Sequence, residues 1–484
     1  MARITIFLPL TCFIATIIPP FGVAHADSLE AGAAIVDITP LEWPVITRGS
    51  FSPKPKDTAH DPLHARALAF RNRSGDGEGR VVICVADVIF IKEPTSTRIR
   101  QAAADATGWP IESILLAGTH THSAPAPYEG SDAPAELAFR KHFQEGVVEA
   151  ITQAIQNLEP AKVGFGSDTV PEEVFNRRWY LKEGTMPVNP FGGIDTVKMN
   201  PNKNDITTPA GPTDPEVAVV SVQTAKGQPL ALLANYSLHY VGAVTGAQVS
   251  ADYFGEFARL VPFRIAGRTP PERFVGILSN GTSGDINNID FTQTRPPRAP
   301  FEQIQIVARK VADAAYRSTR DMIYSDTATV KMLQRTVTLK NRKPDEKQVE
   351  QALRILEMSE DERKSANLSK LAHHYAARTL VGAEKPDTVD VTLQAIRIGD
   401  QAIVSLPFET LVEIGLELKE KSPFAHTFTI ELANGAWGYL PTPEQHELGG
   451  YETWRGTSNV QKEASRILTD ELLEMLGELK EAKL

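Results

Sequence analysis

The chain has 484 residues, room for up to three domains of about 150 residues each or for one large α/β domain with insertions. Apolar residues make up 42% and charged residues 23%, which excludes a wholly disordered or collagen-like chain. Lys and Arg total 50 against 60 Asp and Glu, a net charge of −10, so the basic surface a nucleic-acid binder needs is missing. Only Cys12 and Cys84 are present, too few for a disulfide scaffold or a cysteine zinc site.

The N-terminal stretch reads as an address. Arg3 is a positive start, Ile4 to Ile18 an apolar core, and Ala24-His25-Ala26 a small-residue cleavage pattern. This predicts a secretory signal peptide over residues 1–26, cut after Ala26, and a secreted or periplasmic product of residues 27–484. Pro19-Pro20 end an apolar run too short to span a bilayer, and no later segment reaches eighteen apolar residues. Cys84 is then the one remaining thiol, inside the apolar run Val81–Val85, where a buried and inert cysteine is expected.

Strand-like runs follow at Val81–Phe90 and Ile114–Ala117, then a four-residue repeat of Phe139, Phe143, Val147, Ile151 and Ile155 predicts a helix. Residues 183–213, rich in Pro, Gly and Asn, read as a long surface loop. Further strands are expected at Val217–Val222, Leu230–Tyr236, Phe274–Ser279, Val391–Ile398 and Ala402–Leu406, with helices around Ile304, Val307 and Val311 and around Leu468, Leu472 and Leu479. Residues 343–387 read as a charged, solvated helical excursion. The strands are mostly continuous apolar runs, as in sheets covered on both faces. The fold class is α/β (α+β): mixed β-sheets layered with helices in a single large catalytic domain.

Polar residues cluster where strands end. Ile114–Ala117 runs into Gly118-Thr119-His120-Thr121-His122-Ser123, Leu232–Tyr236 leads to His239, Phe274–Ser279 to the turn Asn280–Asp285, and Ile403–Pro407 to Glu409. Ligand crevices of covered sheets lie at strand ends, so one converging site is expected. His120 and His122, two apart on an extended chain, would face one side, and neutral imidazoles are common zinc ligands. Asp285–Asp290 is no EF-hand, because Ile289 and Pro296 stand where calcium needs oxygen ligands.

These residues resemble the neutral/alkaline (non-lysosomal) ceramidase family. Ala31–Pro40 is similar to its mature start, His60-Asp61-Pro62-Leu63-His64-Ala65-Arg66-Ala67 to its next segment, and Gly118–Ser123 to its most specific motif. Asn176-Arg177, His239, Gly284-Asp285, Pro407-Phe408-Glu409-Thr410 and Tyr439–Glu444 followed by Tyr451 extend the likeness from about residue 31 to 480. The resemblance implies a catalytic Zn2+ on His120, His239, Glu409 and Tyr439. It implies catalytic roles for His122, which would stabilise an oxyanion or move protons, and for Arg177 and Tyr451, which would orient the reacting carbonyl. Asp285 and Asn287 complete the implied catalytic set.

Two departures stand out. The family carries a serine where this chain has Asn287, and an asparagine amide can donate a hydrogen bond but cannot relay a proton as a hydroxyl does. The family also continues into an immunoglobulin-like C-terminal domain that does not follow the last helix here. The expected function is a secreted zinc hydrolase of sphingolipid metabolism that cleaves an N-acyl amide in a lipid-like substrate. The alternative is the same zinc scaffold acting on a non-ceramide ester, amide or glycoconjugate; a non-enzymatic binding protein is a third reading.

Overall fold

Two β-sheets stack face to face, and helices cover the outer face of each. The computed structural model describes residues 28–481 except positions 48, 50–52, 75, 76, 129, 131, 243 and 245. The expected signal peptide therefore lies outside the described residues. The larger sheet contains β1 (Ser28–Asp37), β2 (His64–Ser74), β3 (Gly77–Ala86), β4 (Ile114–Gly118), β5 (Glu159–Thr169), β6 (Glu216–Thr224), β7 (Pro229–Tyr236) and β8 (Val275–Asn280). Their order is β8-β7-β6-β5-β1-β2-β3-β4. The smaller sheet runs in chain order through β9 (Val330–Lys340), β10 (Thr388–Ile398), β11 (Gln401–Leu406) and β12 (His426–Glu431).

Side-chain alternation explains why the strands read as unbroken apolar runs. Along β3, Val81, Ile83 and Val85 face the smaller sheet, together with Ile396, Ile403 and Phe428. Val82, Cys84 and Ala86 face the other way, against Ile99, Phe139, Phe143 and Val147 of helices Thr95–Thr107 and Pro134–Gln156. Burying each Val or Ile completely contributes about 1.5–3 kcal/mol. Helices Asp252–Ala266 and Glu302–Thr319 cover β6, β7 and β8, and Val412–Lys421 with Ala464–Glu481 covers the outside of the smaller sheet. The mixed, layered α/β architecture is the one expected. Cys84 is buried and unpaired, and burial pushes its thiol up to about 12.

Two segments differ from expectation. Within residues 183–213 the chain forms the short strands Val197–Met199 and Ile206–Pro209, which flank Arg178–Leu181 in a three-stranded sheet. Those strands are too short to show a period in a stretch rich in Pro and Gly. The excursion at 343–387 is helical at Glu346–Glu357, Glu360–Ser365 and Ala372–Ala383, yet it is not merely solvated. It buries Ala352, Ile355, Ala372 and Ala376 in a small core of its own and lends residues to two cavities.

Parallel pairing fixes where the site forms. β3 with β4, β7 with β8, and β11 with β12 are parallel, so each pair brings two strand C-termini to one edge.

Candidate metal centre

At the end of β4 the Thr119 N–H donates to Ala86 O (2.9 Å) and the His120 N–H to Val88 O (3.0 Å). His120 has φ +74°, a left-handed conformation uncommon for a side-chain-bearing residue. The chain is thus turned rather than extended at the His-x-His pair, a correction to the geometry expected. The two rings nonetheless converge, because the turn swings His120 inward: its Nε2 lies 3.2 Å from that of His122 and 3.0 Å from that of His239, which follows β7. Glu409 Oε2 stands 3.4 Å from His120 Nε2 and 3.9 Å from His239 Nε2.

The ring hydrogens can be assigned from the partners. His120 Nδ1 faces Ile89 O (2.9 Å), His239 Nδ1 faces Ser283 O (3.1 Å) and His122 Nδ1 faces Gly49 O (3.1 Å). A carbonyl only accepts, so each Nδ1 carries the hydrogen and each neutral ring turns a bare Nε2 lone pair toward the other two. Three lone pairs beside a carboxylate repel one another unless a cation sits among them. The cluster His120, His122 and His239 could therefore hold a metal, and its donor chemistry fits one. Carbonyls, rather than carboxylates, fix these rings.

Electrostatics follow from burial. Burial and the charge on His120 hold His122 and His239 well below the usual histidine range. Burial also opposes charge on His120, but the Glu409 carboxylate beside it and the charge of Glu431 outweigh it and raise that ring, so a proton on its Nε2 is what a metal among the three rings would displace. Burial acts to raise Glu409, yet His120 and a hydrogen bond with Tyr439 keep it below the ordinary carboxylate range.

Glu409 and Tyr439 are neighbours on a two-residue parallel ladder. Arg177 is buried behind them: its NH2 donates to Tyr439 Oη (2.9 Å) and its Nε to Glu452 Oε1 (2.9 Å). It reaches the centre through Tyr439. A cleft of about 620 Å3 opens over the cluster, lined by His120, His122, Glu409, Tyr439, Tyr451 and Trp437 among others. Tyr451 meets Tyr439 edge-on at 5.5 Å, and Tyr240 stacks on His122 at 3.8 Å.

Of the expected residues, Arg177, His239, Asp285 and Asn287 do not line the cleft, and Asp285 and Asn287 are engaged away from the histidines as well. Asp285 is fully buried, and its carboxylate accepts from Asn176 Nδ2 (2.8 Å) and the Val412 N–H (2.9 Å), while its carbonyl accepts the Arg177 N–H (2.8 Å). It ties three loops together. Burial pushes its carboxyl up to about 6. The Asn287 amide donates to Asn200 Oδ1 (2.8 Å) and accepts from the Ile289 N–H (2.9 Å), so its side chain is engaged away from the histidines.

Sequence reasoning missed two buried carboxylates. Glu452 pairs with Arg177 and Arg178. Glu431, which burial pushes up to about 8, accepts from Ser283 Oγ (2.7 Å), Asn280 Nδ2 (2.9 Å) and the Thr410 N–H (2.8 Å), joining the turn after β8 to the Glu409 segment. The available signal was a lone glutamate ending the apolar strand β12.

Residues 30–290 match the family described as neutral/alkaline non-lysosomal ceramidase, N-terminal. The chain is 27% identical over 129 residues to a neutral ceramidase of Mycobacterium tuberculosis, covering 24% of this chain and 20% of that protein. It is 24% identical over 277 residues to neutral ceramidase B of Dictyostelium discoideum, covering 54% of this chain and 36% of that protein. The matched stretches thus span well under half of these relatives. Among solved structures, a neutral ceramidase from Pseudomonas aeruginosa shares the fold with a TM-score of 0.68 at 17% identity, over 94% of this chain and 75% of that one. A ceramidase complexed with C2 gives 0.68 at 16% identity, over 94% and 76%.

Proposed function

The chain belongs to the neutral/alkaline non-lysosomal ceramidase family, and from that premise we propose that it is a zinc-dependent hydrolase cleaving the N-acyl amide of a ceramide-like lipid. The observation that carries the reading is the convergence of three Nε2 lone pairs and the Glu409 carboxylate at the floor of a cleft. His120, His239 and Glu409, with Tyr439 beside them, would hold the ion. Zinc in such a set supplies a Lewis acid and lowers the pKa of bound water toward neutrality.

The chain's own groups do the rest. His122 lines the cleft as a neutral imidazole, its Nδ1–H anchored on Gly49 O, so its Nε2 can take a proton from the attacking water and return it to the departing amine. Tyr451, on the same wall, orients the scissile carbonyl. Arg177 keeps the Tyr439 hydroxyl in place and is itself fixed by Glu452. Water adds to the carbonyl carbon, the C–N bond breaks, and a fatty acid and a free amine leave. Among the described residues no helix is long and apolar enough to cross a membrane. The leader pattern supports secretion or a periplasmic location.

A second reading keeps the zinc scaffold but changes the substrate to a non-ceramide ester, amide or glycoconjugate. It is favoured by the three cations Lys92, Arg378 and Lys385 that line the cleft beside Glu93 and Glu409, and by an Asn287 side chain bound elsewhere. The experiment is release of sphingoid base from ceramide by the mature protein, with and without a chelator. Chelator-sensitive release supports the first reading. A zinc-loaded, folded protein that leaves ceramide intact but hydrolyses another acyl substrate establishes the second.

A further inference from the structure

A second cavity of about 350 Å3 adjoins the catalytic cleft. Trp454 lines it, and the same ring meets Tyr451 of the cleft edge-on at 5.9 Å. Its walls come from the helices Glu346–Glu357 and Ala372–Ala383 and from the turn Thr453-Trp454-Arg455.

The charges around it are unbalanced. Arg342, Arg455 and Lys462 all border the cavity, with His446 beside them. Arg342 NH1 donates to the carbonyls of Thr453 (2.8 Å) and Ser458 (3.4 Å), and Arg455 NH1 donates to Gln348 Oε1. Among the described residues neither guanidinium forms a salt bridge. Lys462 pairs at the rim with Glu447 (2.8 Å). Asp195 also lines the cavity, but its oxygens accept from Asn189 Nδ2 (3.0 Å) and Trp454 Nε1 (2.8 Å). Asp345, which caps the helix Glu346–Glu357, acts on Arg455 only at longer range. Two buried atoms, Arg455 Nε and His446 Nδ1, have no hydrogen-bond partner. Burial and the nearby Arg455 bring Arg342 down to about 10, and burial with the cations Arg342 and Lys462 keeps His446 neutral, near 3.

Half-buried guanidiniums are normally matched by an anion, because a desolvated charge left alone is costly. The planar fork of arginine suits the paired oxygens of phosphate, and neutral His446 can present an Nδ1–H as a further donor. We infer that this cavity binds an oxyanion of the phosphate class, clamped by Arg342 and Arg455, with His446 inside and Lys462 at the rim. The volume admits a phosphate with a small substituent. Arg455 lies four residues beyond Tyr451 on one turn, so an anion held here also braces that wall of the cleft.

The test is titration of inorganic phosphate into the metal-loaded full chain, read by calorimetry and by the shift in melting temperature. Wild type should bind one phosphate in this cavity and melt higher as phosphate rises. Arg342→Gln and Arg455→Gln should each weaken binding at least about tenfold, and neither loses a salt bridge that would threaten the fold. Lys462→Gln, a change on the exposed rim, should weaken it by about threefold. A wild type that binds no phosphate up to about 10 mM overturns the inference. So does binding that is equal in wild type, Arg455→Gln and Lys462→Gln, which would place the ion at the histidine centre. Phosphatidylcholine vesicles with and without phosphatidic acid separate the sources. Loss of acid-dependent vesicle binding in Arg455→Gln assigns a lipid headgroup; vesicle binding that Arg455→Gln leaves unchanged, with phosphate binding lost, assigns a free phosphate species.

Discussion

Removing the Glu452 carboxylate should unsettle the centre from beneath. Glu452 has no exposed surface, and its two oxygens accept from Arg177 Nε (2.9 Å) and Arg178 NH1 (2.7 Å), both themselves buried. A hydrogen bond to a charged group contributes about 1.5–3 kcal/mol. Stripping one partner from a buried ion pair costs about 3–5 kcal/mol, since the remaining charge stays desolvated. Arg178 keeps carbonyl acceptors at Gln445 and Gly449, and Arg177 keeps Tyr439, so partial compensation holds the loss within that range. Glu452→Ala should therefore lower the unfolding free energy by about 3–5 kcal/mol, and Glu452→Gln, which keeps the volume and one acceptor, by about 2 kcal/mol. Urea denaturation of metal-loaded protein, followed by tryptophan fluorescence, gives both values. The double variant Glu452→Gln/Arg177→Met should be less destabilised than the two single losses added, because it removes both charges of one pair. A cost for Glu452→Ala below about 1 kcal/mol, the worth of an exposed pair, would refute the argument.

Three other changes probe separate parts of the account. Gly284 packs against the metal-centre segment so closely that an added Cβ would lie 2.7 Å from Glu409 O and 2.9 Å from Thr410 O. Gly284→Ala should displace Glu409 and weaken metal affinity by about 10–100-fold, measured by competition with a chromophoric chelator; unchanged affinity would remove Glu409 from the centre. Burial, reinforced by the charge of Asp87, raises Asp61 to about 6, so the folded state keeps a proton that the unfolded chain releases near pH 4. That stabilisation is complete below about pH 4 and lost as pH rises through 6, at most about 3 kcal/mol relative to Asp61→Asn; denaturation profiles of the two proteins that run parallel from pH 4 to 7 would contradict it. Asn287→Ser should change ceramide hydrolysis by less than about threefold, because the Asn287 side chain is bound to Asn200 and Ile289. A larger gain would make that position the switch between substrates.

What could be read in advance follows from which signals are local. β3 and the paired strands β6 and β7 were legible because both faces are covered, leaving unbroken Val, Ile and Leu runs. β1 was not read as a strand, and Gly32 shows why: a Cβ there would sit 2.3 Å from Ala154 O, so the overlying helix demands small residues in place of β-branched ones. β9 has mostly half-exposed residues at the edge of its sheet and carries charges that mask its period. His120, His122, His239 and Glu409 stood out because each follows a strand end, and the parallel strand pairs bring those ends to one edge. Glu431 also ends a strand of a parallel pair but was passed over, and Glu452 could not be found that way. The partners of Glu452 and Glu431 lie up to 275 and 151 residues away, and a carboxylate inside the fold leaves no spacing pattern. The His-x-His pair converged for a reason the alternation rule does not contain, a left-handed turn at His120.

If His120, His239, Glu409 and Tyr439 hold a metal, with the His122 imidazole left free beside them, the purified protein should carry it. Elemental analysis of the purified full chain, by inductively coupled plasma mass spectrometry beside circular dichroism, tests it directly. One zinc per chain is expected, lost in His239→Ala and in His120→Ala with the circular dichroism spectrum unchanged. A folded wild type that hydrolyses its substrate without bound metal, or a His239→Ala variant that retains a full equivalent of zinc, would contradict it.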